Sequence, residues 1–434
     1  MTIQTIGLLG VFGLLVLMLL RVPVGVSLAL VGLAGYAAID SVPSALAVLS
    51  FTPLQIVSEH ALSVVPLFTL MGLLCARMGL SQRLYSAAAA AFGTVRGSSA
   101  LATLGASAAF GAMNGSSLAS CLTIGRIAVP EMRAQGYRDS LISGSIAAGG
   151  TLGILLPPSI VLVVYALITE QSVGRLFAAG IVPGILLTLL YFGAVATVLA
   201  LDPAAAPRGA SLALRDRLRA LGSAWEAVVL FGGTIGGIYV SLFTPTEAAA
   251  IGVALTLAIG FARGTLDISS VRDALTEATV LSAVLFLVLL GSTYFSYFVV
   301  QAQLPQATVD WLTGLGLTPL AVLLMIVVFY VLAGIVLDGI GLVLATVPIV
   351  YPVVVSLGFD PVWFGVLLVL MVEIGLLSPP VGMNLFVMKS VAPNLAFRDI
   401  YAGVVPFLIG QALLVAILIA VPAVATWLPG VLYR

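Results

Sequence analysis

The sequence predicts an all-α polytopic membrane protein that is built from two inverted-topology repeats. Of its 434 residues, 61% are hydrophobic and only 8% are charged, whereas soluble domains carry roughly 25% charged residues. Too few polar side chains remain to cover a water-facing surface, and several apolar runs reach the ~20 residues that span hydrocarbon. The formal net charge is zero, which argues against nucleic acid as a partner and makes the lipid bilayer the expected surrounding.

Two similar stretches, far apart in the chain, each place a pair of prolines inside an apolar segment. They are Gly153–Ser159 and Gly375–Val381. A proline pair removes two backbone donors and bars the helical conformation from the residue before it. Hydrocarbon cannot satisfy the freed carbonyls, so such a break survives only where it lines a buried cavity. We therefore expect broken helices over 140–169 and 361–388, and matched breaks in two halves indicate the binding site of a secondary transporter.

The spacing of the breaks indicates an internal duplication. Pro157 and Pro379 lie 222 residues apart, as do Gly153 and Gly375. Two further apolar segments are rich in Gly, Ser and Pro, which makes them poor simple spans and favours re-entrant hairpins. The predicted organisation is a first repeat over 1–200 with a hairpin at 84–130 and a broken helix at 140–169, a cytoplasmic linker helix over 201–222, and a second repeat over 223–434 with a hairpin at 305–353 and a broken helix at 361–388.

Basic residues set the predicted orientation. Most arginines, including the cluster Arg215, Arg217 and Arg219, fall on one side of the membrane if the N-terminus lies outside. The positive-inside rule then makes this side cytoplasmic and the N-terminus periplasmic. In that orientation the first hairpin opens to the cytoplasm and the second to the outside, which makes the repeat inverted.

The first hairpin carries oxygen-bearing side chains at its turn, namely those of Asn114, Ser116 and Ser117. A bound Na⁺ requires oxygen ligands, and the unwound carbonyls of the first break could supply more of them. A polar tip that faces a break therefore predicts an ion site. The alternative is that these small residues only permit close helix packing, and this is our interpretation of Ser107 and Ser120.

The second hairpin centres on Asp338, the only charged residue between Asp310 and Asp360. Carboxylates inside a membrane are costly and indicate function. Asp338 could bind a cation directly, or could order the tip by accepting backbone donors. Glu373, six residues before Pro379, is a second carboxylate in an apolar run, and it could couple to protons or pair with a basic residue.

Three residues are candidates for binding an anionic substrate. Arg126 follows the first hairpin, and its planar guanidinium would suit a substrate carboxylate, although it could equally anchor a helix end. Ser159 and Asn384 each follow a proline pair, where a new half-helix begins and its backbone donors favour anions. An anion held between the two breaks follows from this arrangement, with Ser116 of the hairpin tip as a further contact.

Several of these stretches resemble a known family. Asn114–Ser117 and Ala148–Ser159 are similar to the first half of the large membrane subunit of TRAP (tripartite ATP-independent periplasmic) transporters, the M or dicarboxylate-type subunit. Gly358–Pro361 and Glu373–Phe386 are similar to its second half. The resemblance covers nearly the whole chain.

The resemblance implies an elevator-type, sodium-coupled importer of small organic anions in the bacterial inner membrane, with at least two Na⁺ ions and no organic cofactor. It implies two partners, a periplasmic substrate-binding protein and a small four-helix membrane subunit, which we expect as a separate chain. The implied Na⁺ ligands are Asn114, Ser117, Gly153, Leu156 and Pro158 for one site, and Gly339, Glu373, Leu376 and Ser378 for the other. Asp338, which the resemblance does not add, stays a candidate cation ligand on its own chemistry.

Two alternatives remain open at this level. The first is a stand-alone sodium–dicarboxylate symporter of similar fold, which needs no binding protein. The second is an intramembrane hydrolase that uses Ser117 or Ser159 as its nucleophile. A serine hydrolase needs a base, and the sequence offers His60 as its only histidine, so we do not expect an enzyme.

Overall fold

The computed structural model describes residues 2–209 and 213–433, and within these ranges the chain is helical, without a β-strand. Nine helical segments among the described residues are long and apolar enough to cross a membrane. The predicted all-α polytopic fold is thereby confirmed. Residues 210–212 of the predicted linker, and residues 1 and 434 at the outer limits of the predicted repeats, lie outside the described residues.

Five helices precede the first hairpin. The fifth helix ends before Gly93, and the next helix begins after Gly97. Both glycines have positive φ angles, 52° and 77°, and few other residues adopt this conformation without strain. The hairpin consequently begins at Ser98 and not at residue 84. These helices are α1 (Ile3–Leu19), α2 (Val24–Ile39), α3 (Val42–Ser58), α4 (Val64–Arg77) and α5 (Leu80–Phe92).

The first hairpin and the first broken helix follow directly. The hairpin reverses at Gly115, whose φ is 63°, and the broken helix is interrupted at Pro157-Pro158, which are joined by a cis bond. A long single helix closes the first half. The elements are α6 (Ser98–Asn114), α7 (Ser117–Ala134), α8 (Asp139–Leu155), α9 (Ile160–Thr169) and α10 (Val173–Leu201).

The middle of the chain leads from the linker to a long helix. The helix α14 begins with a capping box, in which Thr244 Oγ1 accepts from the Glu247 N–H at 3.3 Å and Glu247 accepts from the Thr244 N–H at 2.8 Å. Such reciprocal bonds satisfy two otherwise free donors. The elements are α11 (Leu214–Gly222), α12 (Trp225–Phe231), a π-helical turn (Gly232–Gly236), α13 (Gly237–Tyr239), α14 (Pro245–Ala262) and α15 (Ile268–Gln301).

The second half repeats the sequence of hairpin, broken helix and closing helix. The segment predicted as one hairpin contains a separate helix, α16, before the two hairpin arms α17 and α18. The second break contains Pro379-Pro380, again joined by a cis bond. The elements are α16 (Leu304–Gly314), α17 (Pro319–Val336), α18 (Gly339–Ser356), α19 (Pro361–Leu377), α20 (Met383–Val391), α21 (Phe397–Ala420) and α22 (Ala423–Leu432).

The two broken helices form the centre of the protein. Every residue from Leu141 to Leu155 in α8 is buried, and so is every residue from Val362 to Leu377 in α19. A helix that is apolar on all sides is expected to be surrounded by other helices. Here α8 packs against α6, α7 and α21, and α19 packs against α17, α10 and α21, so both proline breaks lie in the protein interior.

Candidate functional site

A network of hydrogen bonds shapes the first hairpin tip. Asn114 Oδ1 accepts from the Ser116 N–H at 2.8 Å, and the Asn114 amide donates to Ser120 Oγ at 3.1 Å. Ser116 Oγ accepts from the Ala119 N–H at 3.3 Å and so caps α7. Ser120, which the sequence assigned to packing, is therefore part of the polar tip.

The first tip lies directly against the first break. A methyl group added at Gly111 would fall 2.3 Å from Gly153 Cα, and one added at Gly115 would fall 2.5 Å from the Pro158 carbonyl oxygen. A methyl group at Gly153 would lie 3.2 Å from the carbonyl oxygen of Ser116. The tip and the break thus each contribute a backbone carbonyl to the junction between them, and carbonyl oxygens are suitable ligands for a hard cation.

The second break shows a similar arrangement. A methyl group at Gly375 would fall 2.4 Å from the backbone of Gly334 in α17, so α17 and α19 also meet backbone to backbone. The carbonyl oxygens of Ser378 and Leu376 converge on Gly382, where an added methyl group would lie 2.8 Å and 2.9 Å from them. Two of the predicted ligands of the second ion site are therefore brought together by their main-chain oxygens.

Asp338 forms the tip of the second hairpin. Its Oδ1 accepts from the N–H groups of Ile340 and Gly341, both at 3.1 Å, and so caps α18. This is the ordering role that the sequence allowed for Asp338. Gly339, beside it, lies against α19, where an added methyl group would be 2.8 Å from a methyl carbon of Val372.

A cavity of about 890 Å³ lies between the two hairpin tips and the helices α2, α4 and α15. Ligand pockets usually measure roughly 300–1,000 Å³, so a small organic molecule fits. Four predicted site residues line this cavity, namely Asn114, Ser116, Arg126 and Asp338. The two hairpins, which are distant in sequence, therefore contribute to one binding space.

Arg126 is the cationic side chain that this cavity offers to a ligand. It is exposed, and it makes no hydrogen bond or ion pair with any residue in the described part of the chain. Arg77 lines the same cavity, but its guanidinium is paired with Glu277 at 2.9 Å. A free guanidinium in a cavity can hold a carboxylate through two parallel hydrogen bonds.

The other predicted site residues lie behind the cavity wall. Asn384 is fully buried, and its Nδ2 donates to Ser117 Oγ at 2.7 Å and to the Ala147 carbonyl at 3.2 Å. Ser159 is also fully buried and caps α9 by accepting from the Leu162 N–H at 3.3 Å. Neither residue therefore lines the cavity. Asn384 supports the first hairpin tip through Ser117, and Ser159 stabilises the start of α9.

The side chain of Glu373 points away from the second hairpin. The residues of α19 that face this hairpin are Val372, Gly375 and Leu376, whereas the Glu373 carboxylate is fully buried and lies on the side of Tyr191 of α10. The structure therefore does not bring the Glu373 side chain together with Gly339 and the second break. No motif in the sequence indicated a contact between α19 and α10.

A helical membrane protein in which two hairpin tips border one cavity, and in which each hairpin packs against a broken helix, has the architecture of a transporter. The family model of the tripartite ATP-independent periplasmic transporter, DctM component, matches residues 11–424. The chain belongs to this family and is the large permease subunit of a TRAP transporter.

Characterised relatives are similar along most of their length. The chain is 35% identical over 376 residues to the C4-dicarboxylate TRAP transporter large permease protein DctM of Pseudomonas aeruginosa, covering 86% of this chain and 87% of the relative. It is 32% identical over 429 residues to the sialic acid TRAP transporter large permease protein SiaM of Vibrio cholerae, covering 97% of each. Because these relatives are transporter subunits, the chain is not an enzyme, and the hydrolase alternative is abandoned.

A solved structure supports the same fold. The YdaH transporter of Alcanivorax borkumensis superposes with a TM-score of 0.62, covering 88% of this chain and 90% of that chain. The two sequences are only 15% identical, so this likeness concerns the fold alone.

Proposed function

We propose that the chain is the transmembrane subunit of a sodium-coupled importer of small organic anions. The observation that carries this proposal is the cavity between the two hairpin tips, with the unpaired guanidinium of Arg126 on its wall. A carboxylate is the anion that best matches a planar guanidinium. The substrates named for the two relatives, a C4-dicarboxylate and sialic acid, are both carboxylates.

The proposed Na⁺ sites lie where each hairpin meets its break. Support comes from the backbone carbonyls of Ser116 and Pro158 at the first junction, and of Leu376 and Ser378 at the second. Asp338, on the second tip, adds a negative charge that faces the cavity. The first site is assigned to Asn114, Ser117, Gly153, Leu156 and Pro158, and the second to Gly339, Leu376 and Ser378.

The proposed transport movement is that of an elevator. In each half, hairpin and broken helix meet through a pair of glycines, Gly111 with Gly153 and Gly334 with Gly375. Close backbone packing favours movement of these elements as one body. The proposed repeats, 1–200 and 223–434 joined by the linker 201–222, would then be related by inverted topology. If the arginine-rich side is cytoplasmic, the cavity opens towards the cytoplasm, because Arg77 lines it.

The proposed partners are a periplasmic substrate-binding protein and a small four-helix membrane subunit on a separate chain, in the bacterial inner membrane. The family's description as tripartite and the designation of the relatives as large permeases support a complex with further components. A chain that works in such a complex receives its substrate already captured, which distinguishes it from a stand-alone symporter.

Uptake into proteoliposomes tests these points together. The chain would be reconstituted with its small subunit, and labelled substrate uptake would be measured with and without the binding protein, under an inward Na⁺ gradient or an equal K⁺ gradient. We expect uptake only with both Na⁺ and the binding protein. Uptake without the binding protein would favour the stand-alone symporter, and equal uptake in K⁺ would exclude sodium coupling.

A further inference from the structure

The short helix α11 carries a row of leucines that the described part of the chain leaves uncovered. Leu214, Leu218 and Leu221 are spaced by four and three residues, which places them on one face of the helix. Their exposed fractions are 71%, 60% and 42%, and every residue of α11 except Ala220 is exposed. A linker surrounded only by water has no need of this leucine stripe, so the stripe indicates a further partner.

The place of α11 in the chain locates it at the surface of the membrane. The helix begins the apolar segment Leu214–Tyr239, which is long enough to cross a bilayer. Its own nine residues include three arginines and one aspartate, and charged side chains are costly in hydrocarbon. Trp225 and Val228 of α12 are exposed as well, and tryptophan is enriched where hydrocarbon meets water. The helix α11 therefore lies at the end of this span, at the level of the lipid headgroups.

The arginines of α11 border the leucine stripe. Arg217 lies on one side of it, and its guanidinium donates to the carbonyl of Ala91 in α5 at 2.7 Å. Arg215 and Arg219 lie on the other side. Neither of these two guanidinium groups has a hydrogen bond or an ion pair in the described part of the chain. Because Arg217 points towards α5, the stripe and the pair Arg215 and Arg219 remain open to the surroundings.

Two further arginines lie just beyond the same end of α5. Arg96 and Arg208 are neighbours in an isolated antiparallel backbone pair. Both are exposed, and neither guanidinium has a partner among the residues that the structure describes. We call Arg96, Arg208, Arg215 and Arg219 the basic cluster. Groups of about four to eight basic residues beside an amphipathic helix are typical of surfaces that bind anionic lipid headgroups.

We propose that the basic cluster and the leucine stripe bind anionic phospholipids at the membrane surface. Phosphate oxygens accept charge-assisted hydrogen bonds from guanidinium groups, and the leucines bury apolar area among the acyl chains, as in other interfacial helices. Charge complementarity favours this occupant, because one lipid surface supplies both the phosphates for the arginines and the hydrocarbon for the leucines. The proposal does not depend on sodium coupling or on the identity of the substrate.

A lipid bound at this surface would act on the first hairpin through α5. The helix α5 connects α4 to the hairpin, and α11 packs against it. The bond from Arg217 to the Ala91 carbonyl joins α11 to the last turn of α5, and the N–H of Gly97 donates to the Pro207 carbonyl at 3.1 Å. Headgroup binding would therefore hold the base of the first hairpin at the membrane surface.

Native mass spectrometry of the purified, delipidated chain tests this proposal, both alone and with its small subunit. Bound phosphatidylglycerol and phosphatidylcholine would be counted over a range of lipid concentrations, and we expect phosphatidylglycerol to bind more tightly. The double variant Arg215→Gln, Arg219→Gln should weaken phosphatidylglycerol binding by on the order of tenfold and leave phosphatidylcholine binding nearly unchanged. Leu218→Gln should weaken the binding of both lipids, because the apolar contact does not depend on the headgroup.

The matched control is the double variant Arg272→Gln, Arg398→Gln. It removes the same number of positive charges from exposed positions outside the basic cluster, so its phosphatidylglycerol binding should equal that of the unsubstituted chain. All four of these arginines are exposed, and we expect unchanged unfolding temperatures, which would show that any loss of binding does not come from misfolding.

Three outcomes would overturn the proposal. The first is equal phosphatidylglycerol binding by the cluster variant and the control. The second is displacement of phosphatidylglycerol by soluble glycerol 3-phosphate, because the cluster would then be a site for free phosphate compounds. The third is lipid binding at the cluster by the chain alone but not by its complex with the small subunit, which would assign the leucine stripe to that subunit.

Discussion

Asn384 Nδ2 lies 2.7 Å from Ser117 Oγ, so the first turn of α20 is tied to the tip of the first hairpin. The two residues come from different halves of the chain, and both are buried. Buried hydrogen bonds of this kind are expensive to break, because the remaining partner is left without water. The bond therefore fixes the second break relative to the first tip.

Replacing Asn384 by alanine should destabilise the protein by about 1–3 kcal/mol, because two buried acceptors lose their donor. Thermal unfolding of the purified protein in detergent measures this effect. Ser390→Ala is the control, since the Ser390 hydroxyl lies at the exposed end of the same helix and bonds only the Val387 carbonyl. An unfolding temperature equal to that of the control would show that the Asn384 bond contributes little.

Replacing Gly111 by alanine should separate the first hairpin tip from its break. The added methyl group would lie 2.3 Å from Gly153 Cα, and backbone atoms at this distance must move apart, which costs about 1–3 kcal/mol. We expect loss of Na⁺ binding at the first tip site, measured by Na⁺-dependent thermal stabilisation. Gly193→Ala in α10 is the control, because its added methyl group meets nothing within 4 Å. Na⁺ should stabilise this control as it stabilises the unsubstituted protein. Normal stabilisation of Gly111→Ala by Na⁺ would contradict the packing argument.

Replacing Asp338 by asparagine should abolish Na⁺-driven uptake while the protein remains folded. Asparagine keeps an oxygen that can accept the two N–H groups at the start of α18, but it removes the negative charge from the cavity. Uptake by the reconstituted complex gives the measurement. Asp360→Asn is the matched control. Asp360 caps α19 in the same manner, at 2.8–2.9 Å from two N–H groups, but it does not line the cavity. Normal uptake by both variants would assign Asp338 to capping alone.

Replacing Arg126 by glutamine should raise the substrate concentration that gives half-maximal uptake, by on the order of tenfold. A charge-assisted hydrogen bond to a carboxylate is worth about 1.5–3 kcal/mol, and tenfold corresponds to about 1.4 kcal/mol. Arg133→Gln is the control on the same helix, where the guanidinium lies 3.5 Å from Asp139. If both variants transport with the same concentration dependence as the unsubstituted chain, Arg126 anchors the helix and does not bind substrate.

Local chemistry made the turns and breaks of this chain predictable. A proline pair interrupts any helix, and a glycine between polar residues permits a tight turn. The breaks at Pro157-Pro158 and Pro379-Pro380 and the turn at Gly115 can therefore be recognised from the sequence, whatever packs against them. The start of the first hairpin was misplaced because the apolar character of α5 does not differ from that of a hairpin arm, and only the backbone at Gly93 and Gly97 separates them.

Contacts between distant helices were beyond prediction from a single sequence. Asn384 was expected beside the substrate because it begins a half-helix, but its amide is used by Ser117 and Ala147. The residues alone left Glu373 between coupling to protons and pairing with a basic residue, and its neighbour Tyr191 lies on a helix whose register no local pattern specifies. Residue type indicated which side chains matter, and packing determined what they touch.

The paired glycines at the two junctions have a consequence for how this protein diverges from its relatives. A contact made by main-chain atoms offers no side chain whose exchange could adjust it, so Gly111 with Gly153 and Gly334 with Gly375 allow almost no variation. A new preference for a solute must then arise through residues that border the open space, such as Arg126, while the framework proposed to hold the ions stays the same. Solute preference and the proposed ion coupling can thereby change separately within one chain.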